Sequence, residues 1–230
     1  MTDENKLKTN DQFSISEIYD LIAESFDSKR RHPWKEVIQF IDQLKPSERV
    51  LDLGCGNARH TRVLLERNFD VVGIDVSFRI LQTAKNNELA LVKNKLTSLV
   101  NGDAIFLPFK KGVFNSIIMI AVFHHFEGLG DRILVLREIQ RILAKDGKCL
   151  ISVWLKTHPR FEKDDLRDLV SGGRKDIIVP WTLPKGKKIK RYYYLFEKEE
   201  IENLISTFGF NILNSEISNH NLFLTIQKEY

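Results

Sequence analysis

The stretch Val-Leu-Asp-Leu-Gly-Cys-Gly-Asn at 50–57 ends an apolar run in two closely spaced glycines, and an acid, Asp75, stands 19 residues after Gly56. Gly54 and Gly56 let the backbone turn tightly and approach a ligand with no Cβ in the way, and an acid ending the next strand can accept both hydroxyls of a ribose. The pattern points to a ligand that contains a nucleoside. A dinucleotide site would place a third glycine to seat a helix beside a pyrophosphate, whereas here Gly56 is followed by Asn57, Ala58 and Arg59. A lone glycine-rich turn is often an incidental strand-to-helix connection. The acid at its offset, and Asp103 closing a third apolar run, set this one apart.

The elements that must position these residues are legible as alternation. Short apolar runs at 50–54, 71–75, 98–103, 116–122 and 148–154 are separated by segments with helical spacing near 58–67, 78–94 and 130–143. Strands alternating with helices predict a parallel sheet with helices on both faces, a Rossmann-like α/β fold. Two helices precede it: one carries Ile15, Ile18, Tyr19, Ile22 and Phe26, and the other runs from Val37 to Leu44 between Pro33 and Pro46. Residues 156–190 lose the periodicity and gather Gly172, Gly173, Pro180, Pro184, Gly186 and many lysines, which predicts an irregular insertion. A helix at 197–208 and a hairpin formed by 210–213 and 222–226 end the chain. The expected organisation is a flexible tail (1–12), N-terminal helices capping the substrate (13–45), a ligand-binding core (46–155), a basic insertion (156–190) and a final helix and hairpin completing the sheet (191–230).

Composition narrows the class. At 230 residues, 43% hydrophobic and 29% charged, the chain suits one folded domain with additions. No apolar run approaches the roughly 20 residues needed to cross a bilayer, and the first twelve residues are polar, so no membrane association and a cytoplasmic home are expected. Cys55 and Cys149 each fall in a segment read as core, which predicts reduced thiols and no metal site built from cysteine. A net charge of +4 mildly favours polyanionic partners.

Residues 50–155 resemble the seven-stranded class I methyltransferase fold that binds S-adenosylmethionine, whose terminal antiparallel hairpin matches the predicted ending. Four further segments lie outside generic fold requirements: I-Y-D-L-I-A-E-S-F-D-S-K-R-R-H-P-W (18–34), I-A-V-F-H-H-F (120–126), V-P-W-T-L-P (179–184) and R-Y-Y-Y-L-F (191–196). Together they resemble the tRNA wobble-uridine methyltransferases that esterify 5-carboxymethyluridine, including the methyltransferase domain of the animal AlkB-type tRNA protein. The similarity runs from about Phe13 to Lys228. The chain departs from that pattern at Asn57-Ala58-Arg59-His60, where a further glycine is usual, at Tyr194, where a histidine is common, and at Ser218-Asn219-His220-Asn221, which lacks the usual tryptophan.

The resemblance implies that Asp52 and the turn from Gly54 through Gly56 to Asn57 approach the methionine part of S-adenosyl-L-methionine, that Asp75 holds the ribose, that Asp103 and Ala104 lie beside the adenine, and that Ala121 lines the floor. It also implies S-adenosyl-L-homocysteine as product, a tRNA anticodon loop as substrate, and a small zinc-binding activator subunit as heterodimer partner that adds a strand to a sheet edge.

Methyl transfer from a sulfonium is an in-line displacement, so positioning can supply most of the catalysis. A carboxylate acceptor, with an ordinary pKa near ~4, is already ionised at neutral pH and needs no general base. It does need a cationic clamp, and arginine binds both carboxylate oxygens with its fork. Arg30, Arg31 and Arg191 are the candidates, with a solvated surface role as the alternative for each. His124 follows the fourth strand and is placed to orient substrate, or to serve as a structural histidine, while His125 is expected to point elsewhere. Lys185, Lys187, Lys188, Lys190 and Arg191 lead directly into Tyr192, Tyr193 and Tyr194, a pattern that suits phosphate contacts and base stacking as well as a merely solvated loop. Trp34 and Trp181 are expected to wall a pocket for one exposed base, with core packing as the rival reading. Two other functions fit the same residues: a methyltransferase acting on a small carboxylate, and a catalytically silent RNA-binding scaffold.

Overall fold

A computed structural model describes residues 13–86, 98–158 and 175–229. The expected tail at 1–12, the end of the helix predicted to reach 94, and most of the segment 156–174 lie outside the described residues.

The first helix, α1 (Ile15–Lys29), starts where Ser14 and Glu17 form a reciprocal capping box, each side chain serving the other's backbone, and buries Ile18, Ile22 and Ala23. After α2 (Lys35–Ile41) the chain alternates β1 (Arg49–Leu53), α3 (Arg59–Glu66), β2 (Asp70–Asp75), α4 (Phe78–Asn86), β3 (Ser98–Asn101) and β4 (Phe114–Ile120). A 3-10 turn (Phe123–His125), α5 (Gly128–Ile142) and β5 (Leu143–Trp154) follow. Then come β6 (Asp176–Thr182), β7 (Lys188–Tyr194), α6 (Lys198–Thr207), β8 (Phe210–Ser218) and β9 (Asn221–Lys228).

Seven strands form one sheet in the order β3-β2-β1-β4-β5-β9-β8. The first five are parallel, while β9 runs antiparallel to both β5 and β8. Consecutive strand residues feed opposite faces. Leu51, Leu53, Ile117 and Met119 meet α5 and α6 through Leu136, Ile139, Ile201 and Ile205. Val50, Ile118 and Ile120 meet α2 and α3 through Phe40, Ile41, Leu64 and Leu65. Burial on both faces explains why these strands appear in sequence as continuous apolar runs.

The described part of the insertion, from residue 175 on, is more regular than its composition predicts. Residues 176–194 form a second, two-stranded antiparallel sheet, β6 paired with β7. Ile177, Val179 and Trp181 are buried at alternate positions of β6, and Ile189, Arg191 and Tyr193 are buried at alternate positions of β7. The lysines between them face solvent, so a period of two is hidden under a high charge density. Pro180 fits because neither strand has a neighbour on its outer edge among the described residues. This hairpin packs against α1, with Trp181 and Ile189 clustering on Ile18 and Ile22. Among the described residues no helix is long and apolar enough to cross a membrane.

Candidate active site

A cavity of about 850 Å³ opens above the carboxyl ends of β1, β2 and β4. That is where open α/β sheets hold ligands, and the size suits a cofactor with part of a substrate.

One half of it is built mainly from backbone. Gly54 (φ +75) and Gly56 (φ +55) turn the chain out of β1, and Ala58 (φ +64) takes the same left-handed conformation just before α3. A Cβ on Gly54 would stand 2.3 Å from Val122 Cγ2, so this glycine also lets the loop after β4 close onto the turn. Asp75 fastens the turn from the next strand: Gly56 N–H donates to its Oδ2 (2.9 Å) and Ser77 N–H to its Oδ1 (2.9 Å). Each carboxylate oxygen keeps lone pairs for a further donor, the requirement for a ribose diol. Burial raises the Asp75 pKa, and the two backbone N–H groups oppose that shift. Asp103, Ala104 and Ala121 line the same half. Ala121 is held at φ +59 with its N–H bound to Ser152 Oγ (2.9 Å), an uncommon conformation for a residue with a side chain.

The helix α1 is bolted over the cavity at three points. Asp20 Oδ1 accepts the Ser77 hydroxyl (2.6 Å) and Arg79 N–H (2.9 Å) at the start of α4. The buried Asn57 donates from Nδ2 to Asp27 Oδ1 (3.0 Å) and to the Arg30 carbonyl (3.0 Å). Tyr19 O–H reaches His125 Nε2 (2.7 Å).

The other half is built from side chains of distant segments. Arg191 is only 4% exposed, and its guanidinium lies over the rings of Trp181 (4.7 Å) and Tyr193 (5.2 Å). Its buried Nε has no hydrogen-bond partner among the described residues. Arg30 also lies over Trp181, at 5.5 Å. Arg59 shares the wall, and burial together with the charge of Arg30 lowers its pKa to about 10. Trp154 stacks on Tyr193 (4.5 Å, 12° between planes), and His124 packs against both rings.

The two histidines are held neutral. Burial drives the His124 pKa well down, and Trp154 N–H donates to its Nδ1 (3.2 Å), which leaves the proton on Nε2. Burial lowers His125 to about 3. Its Nδ1–H donates to the Tyr192 carbonyl (2.9 Å) while Nε2 accepts from Tyr19. The expectation that His125 points elsewhere is not met: both histidines line the cavity, the His125 ring held between the Tyr19 hydroxyl and the Tyr192 carbonyl.

Of the residues singled out from sequence, Arg30, Arg31, Trp34, Gly54, Gly56, Asn57, Asp75, Asp103, Ala104, Ala121, His124, Arg191, Tyr192 and Tyr193 line this one cavity. Asp52, Trp181 and Lys188 are not on its wall. Asp52 is buried beneath the turn, where it accepts the Thr61 hydroxyl (2.6 Å), and burial raises its pKa to about 7. Trp181 stands behind the arginines, its Nε1–H given to Ser25 Oγ (2.8 Å). Lys188 is exposed on the hairpin. Tyr19, Trp154 and Asn221 also line the wall, and sequence reasoning missed them. Tyr19 and Trp154 lie in apolar runs, and Asn221 stands just before the run 222–226, between the two predicted strands of the hairpin. No cluster of His, Cys, Asp or Glu that could hold a metal occurs among the described residues.

Comparison with known proteins agrees with this geometry. Residues 26–215 match the model of a family described as a methyltransferase domain. A relative from Schizosaccharomyces pombe, a tRNA (carboxymethyluridine(34)-5-O)-methyltransferase, is 29% identical over 233 residues, covering 93% of this chain and 96% of that protein. Among solved structures, a SAM-dependent methyltransferase from Methanosarcina mazei superposes with a TM-score of 0.70 at 16% identity, over 86% of this chain and 99% of that one. A Haloferax volcanii methyltransferase, solved in complex with a methyltransferase activator, gives 0.70 at 16% identity over 94% and 98%. With the family model spanning most of its length, the chain belongs to the methyltransferase-domain family.

Proposed function

We propose that this protein transfers the methyl group of S-adenosyl-L-methionine to the carboxylate of a 5-carboxymethyluridine at the wobble position of a tRNA anticodon. The observation that carries this reading is Arg191: a buried guanidinium that lies over two aromatic rings, its Nε without a hydrogen-bond partner among the described residues, on the wall of the cavity whose other half suits a nucleoside. Leaving a buried charged donor unpaired is costly, so such a group calls for an anion when the site is filled. A carboxylate attached to a flat base satisfies both the arginine and the aromatic wall.

The residues present fit the methyl donor. Gly54, Gly56 and Asn57 would face its methionine part, Asp75 its ribose, Asp103 and Ala104 its adenine, with Ala121 in the floor. Asp52 acts at one remove, holding the start of α3 through Thr61. When bound, the donor supplies an electrophilic methyl carbon; a carboxylate oxygen forms the new C–O bond while the C–S bond breaks with its electrons to sulfur, giving the methyl ester and S-adenosyl-L-homocysteine. Arg191, with Arg30 and Arg31, orients the carboxylate, and no proton has to be removed. This agrees with His124 and His125 being neutral and engaged in fixed hydrogen bonds. Trp34, Tyr192 and Tyr193 enclose the base, and Lys188 meets the phosphates outside the cavity.

A small zinc-binding activator subunit would pair with an open edge of the sheet, where β3 and β8 lack an outer neighbour among the described residues. The relative from Schizosaccharomyces pombe and the Haloferax complex support the substrate and the partner, respectively. The reading places the protein in the cytoplasm.

The test is nucleoside mass analysis of tRNA from cells lacking the protein, where 5-carboxymethyluridine accumulates and its methyl ester disappears. An unchanged ester level would remove the proposal. Affinity for tRNA that does not weaken as salt rises would argue instead for a small carboxylate substrate, because phosphate contacts are salt-dependent.

A further inference from the structure

The methionine part of the methyl donor ends in a carboxylate, and none of Gly54, Gly56 and Asn57 carries a positive charge to meet it. Six lysines and arginines line the cavity among the described residues. Lys29, Arg31 and Lys190 are exposed, and Arg30 and Arg191 lie over Trp181 in the half built from side chains. The sixth is Arg59. It is 9% exposed and opens α3 two residues after Asn57, at the seam between the two halves.

The Arg59 guanidinium is held on one side only. Its Nη1 donates to the His32 carbonyl (3.4 Å), and the group lies over the Trp34 ring (5.2 Å to the centroid). The neighbouring His60 accepts the Trp34 N–H at Nε2 (3.3 Å), which ties the segment carrying His32 and Trp34 to the start of α3. No carboxylate pairs with Arg59 among the described residues, and none of its other N–H groups is both buried and without a partner, so they face open space. For a buried residue on this wall, that space is the cavity. With a pKa of about 10 the group stays charged at neutral pH. A charge withdrawn from bulk water with no anion beside it is costly, and a ligand carboxylate offsets that cost.

Resting on the donor named in the function proposed above, and on no feature of its acceptor, we infer that Arg59 binds the carboxylate of the methionine part of S-adenosyl-L-methionine and makes that carboxylate a condition of tight binding. The site thereby selects the full donor over adenosine thioethers that lack the group. A planar fork with free donors can hold both carboxylate oxygens, a charge-assisted contact stronger than a neutral one.

The test is calorimetric and needs no methyl transfer. Tagged wild-type protein and its Arg59→Gln variant are purified from the protein's own cells, so that any activator subunit comes with them. Each is titrated with S-adenosyl-L-homocysteine and with its decarboxylated analogue, in which hydrogen replaces the α-carboxylate. Wild-type protein is expected to bind S-adenosyl-L-homocysteine about 30-fold or more tightly than the analogue, the scale of hydrogen bonds between charged groups, and Arg59→Gln about 3-fold or less. The analogue should bind the variant at least as well as the wild type, which establishes that the variant is folded. If Arg59→Gln binds neither ligand, Arg59→Met, which keeps the length of the side chain, replaces it. If that variant also binds neither, Arg59 holds the turn rather than the ligand and the assignment falls. Wild-type protein that binds both ligands alike, or a folded variant that keeps the full preference, overturns it as well. Wild-type protein that binds neither ligand removes the donor reading and this assignment together. An Arg59-dependent preference in a protein whose loss from cells leaves tRNA nucleosides unchanged keeps this assignment and removes only the proposed substrate.

Discussion

The two halves of the cavity are made in different ways. The donor half comes from four neighbouring strand ends of one sheet, and its key contacts are between backbone and one carboxylate: Gly56 N–H and Ser77 N–H on Asp75. The acceptor half draws on α1, the 3-10 turn, the ends of β5 and β9, and a separate hairpin, and its contacts are between side chains. A backbone-built site is suited to a ligand that does not vary, since few substitutions alter backbone donors. A site built from side chains on appended elements can be changed residue by residue, which suits the part of the cavity that selects a substrate.

Substitutions on either side should separate the halves. The largest effect is expected at Arg191: Arg191→Ala should lower kcat/KM on carboxymethyluridine-containing tRNA by about 1,000-fold, near 4 kcal/mol, as when one partner of a buried charged pair is removed. Calorimetric affinity for S-adenosyl-L-methionine should stay within about 2-fold, and Arg191→Lys should recover little, because an ammonium lacks the planar fork. A parallel loss of donor affinity would show that the halves are not independent. In the opposite direction, Asp75→Ala should weaken donor binding by about 100-fold, the scale of hydrogen bonds to a charged acceptor, while tRNA affinity by filter binding holds.

Trp181→Leu probes the layer behind the wall. It touches neither ligand in this arrangement, yet it supports the guanidinium groups of Arg30 and Arg191. The cation–π support is worth about 1–2 kcal/mol in a desolvated setting, so kcat/KM should fall about 10-fold with donor affinity unchanged. An unaltered kcat/KM would reduce Trp181 to a packing residue.

The smallest effect concerns stability beneath the donor half. Asp52 has a folded-state pKa of about 7, above its ordinary value of 3.8, because burial favours the neutral form. Its contribution to stability is complete below about pH 4 and is lost as pH rises through about 7. Asp52→Asn keeps an acceptor for Thr61 and removes the titration, so the fall in Tm between pH 5 and pH 8 should shrink by roughly 5 °C, read by thermal denaturation. An equal fall in both proteins would place the pH dependence elsewhere.

Legibility in the sequence followed the same divide. The turn at Gly54 and Gly56, the acid at Asp75 and the order of strands were readable because each depends on short-range spacing or a single period. The hairpin at 176–194 was not, because Ile178 and Pro180 interrupt the alternation of Ile177, Val179 and Trp181 in β6, while lysines alternate with the buried residues of β7. Trp181 was expected on the wall and stands behind it, whereas Trp154 was read as core and lies on the wall. Both are aromatic residues in apolar surroundings, and nothing local distinguishes a core face from a cavity face.

By itself the sequence determined the parallel α/β architecture, the left-handed turn that needs glycine, and the spacing that brings Asp75 to Gly56, since these follow from backbone conformation and hydrophobic period. Only the tertiary structure decided which cations gather, that His125 faces inward between Tyr19 and Tyr192, and that Arg191 and Asn221 are buried with unsatisfied atoms. Those properties depend on which groups meet across long stretches of chain, 106 residues for Tyr19 with His125 and 67 for His125 with Tyr192, and on the desolvation that follows. Composition and local pattern carry no record of either.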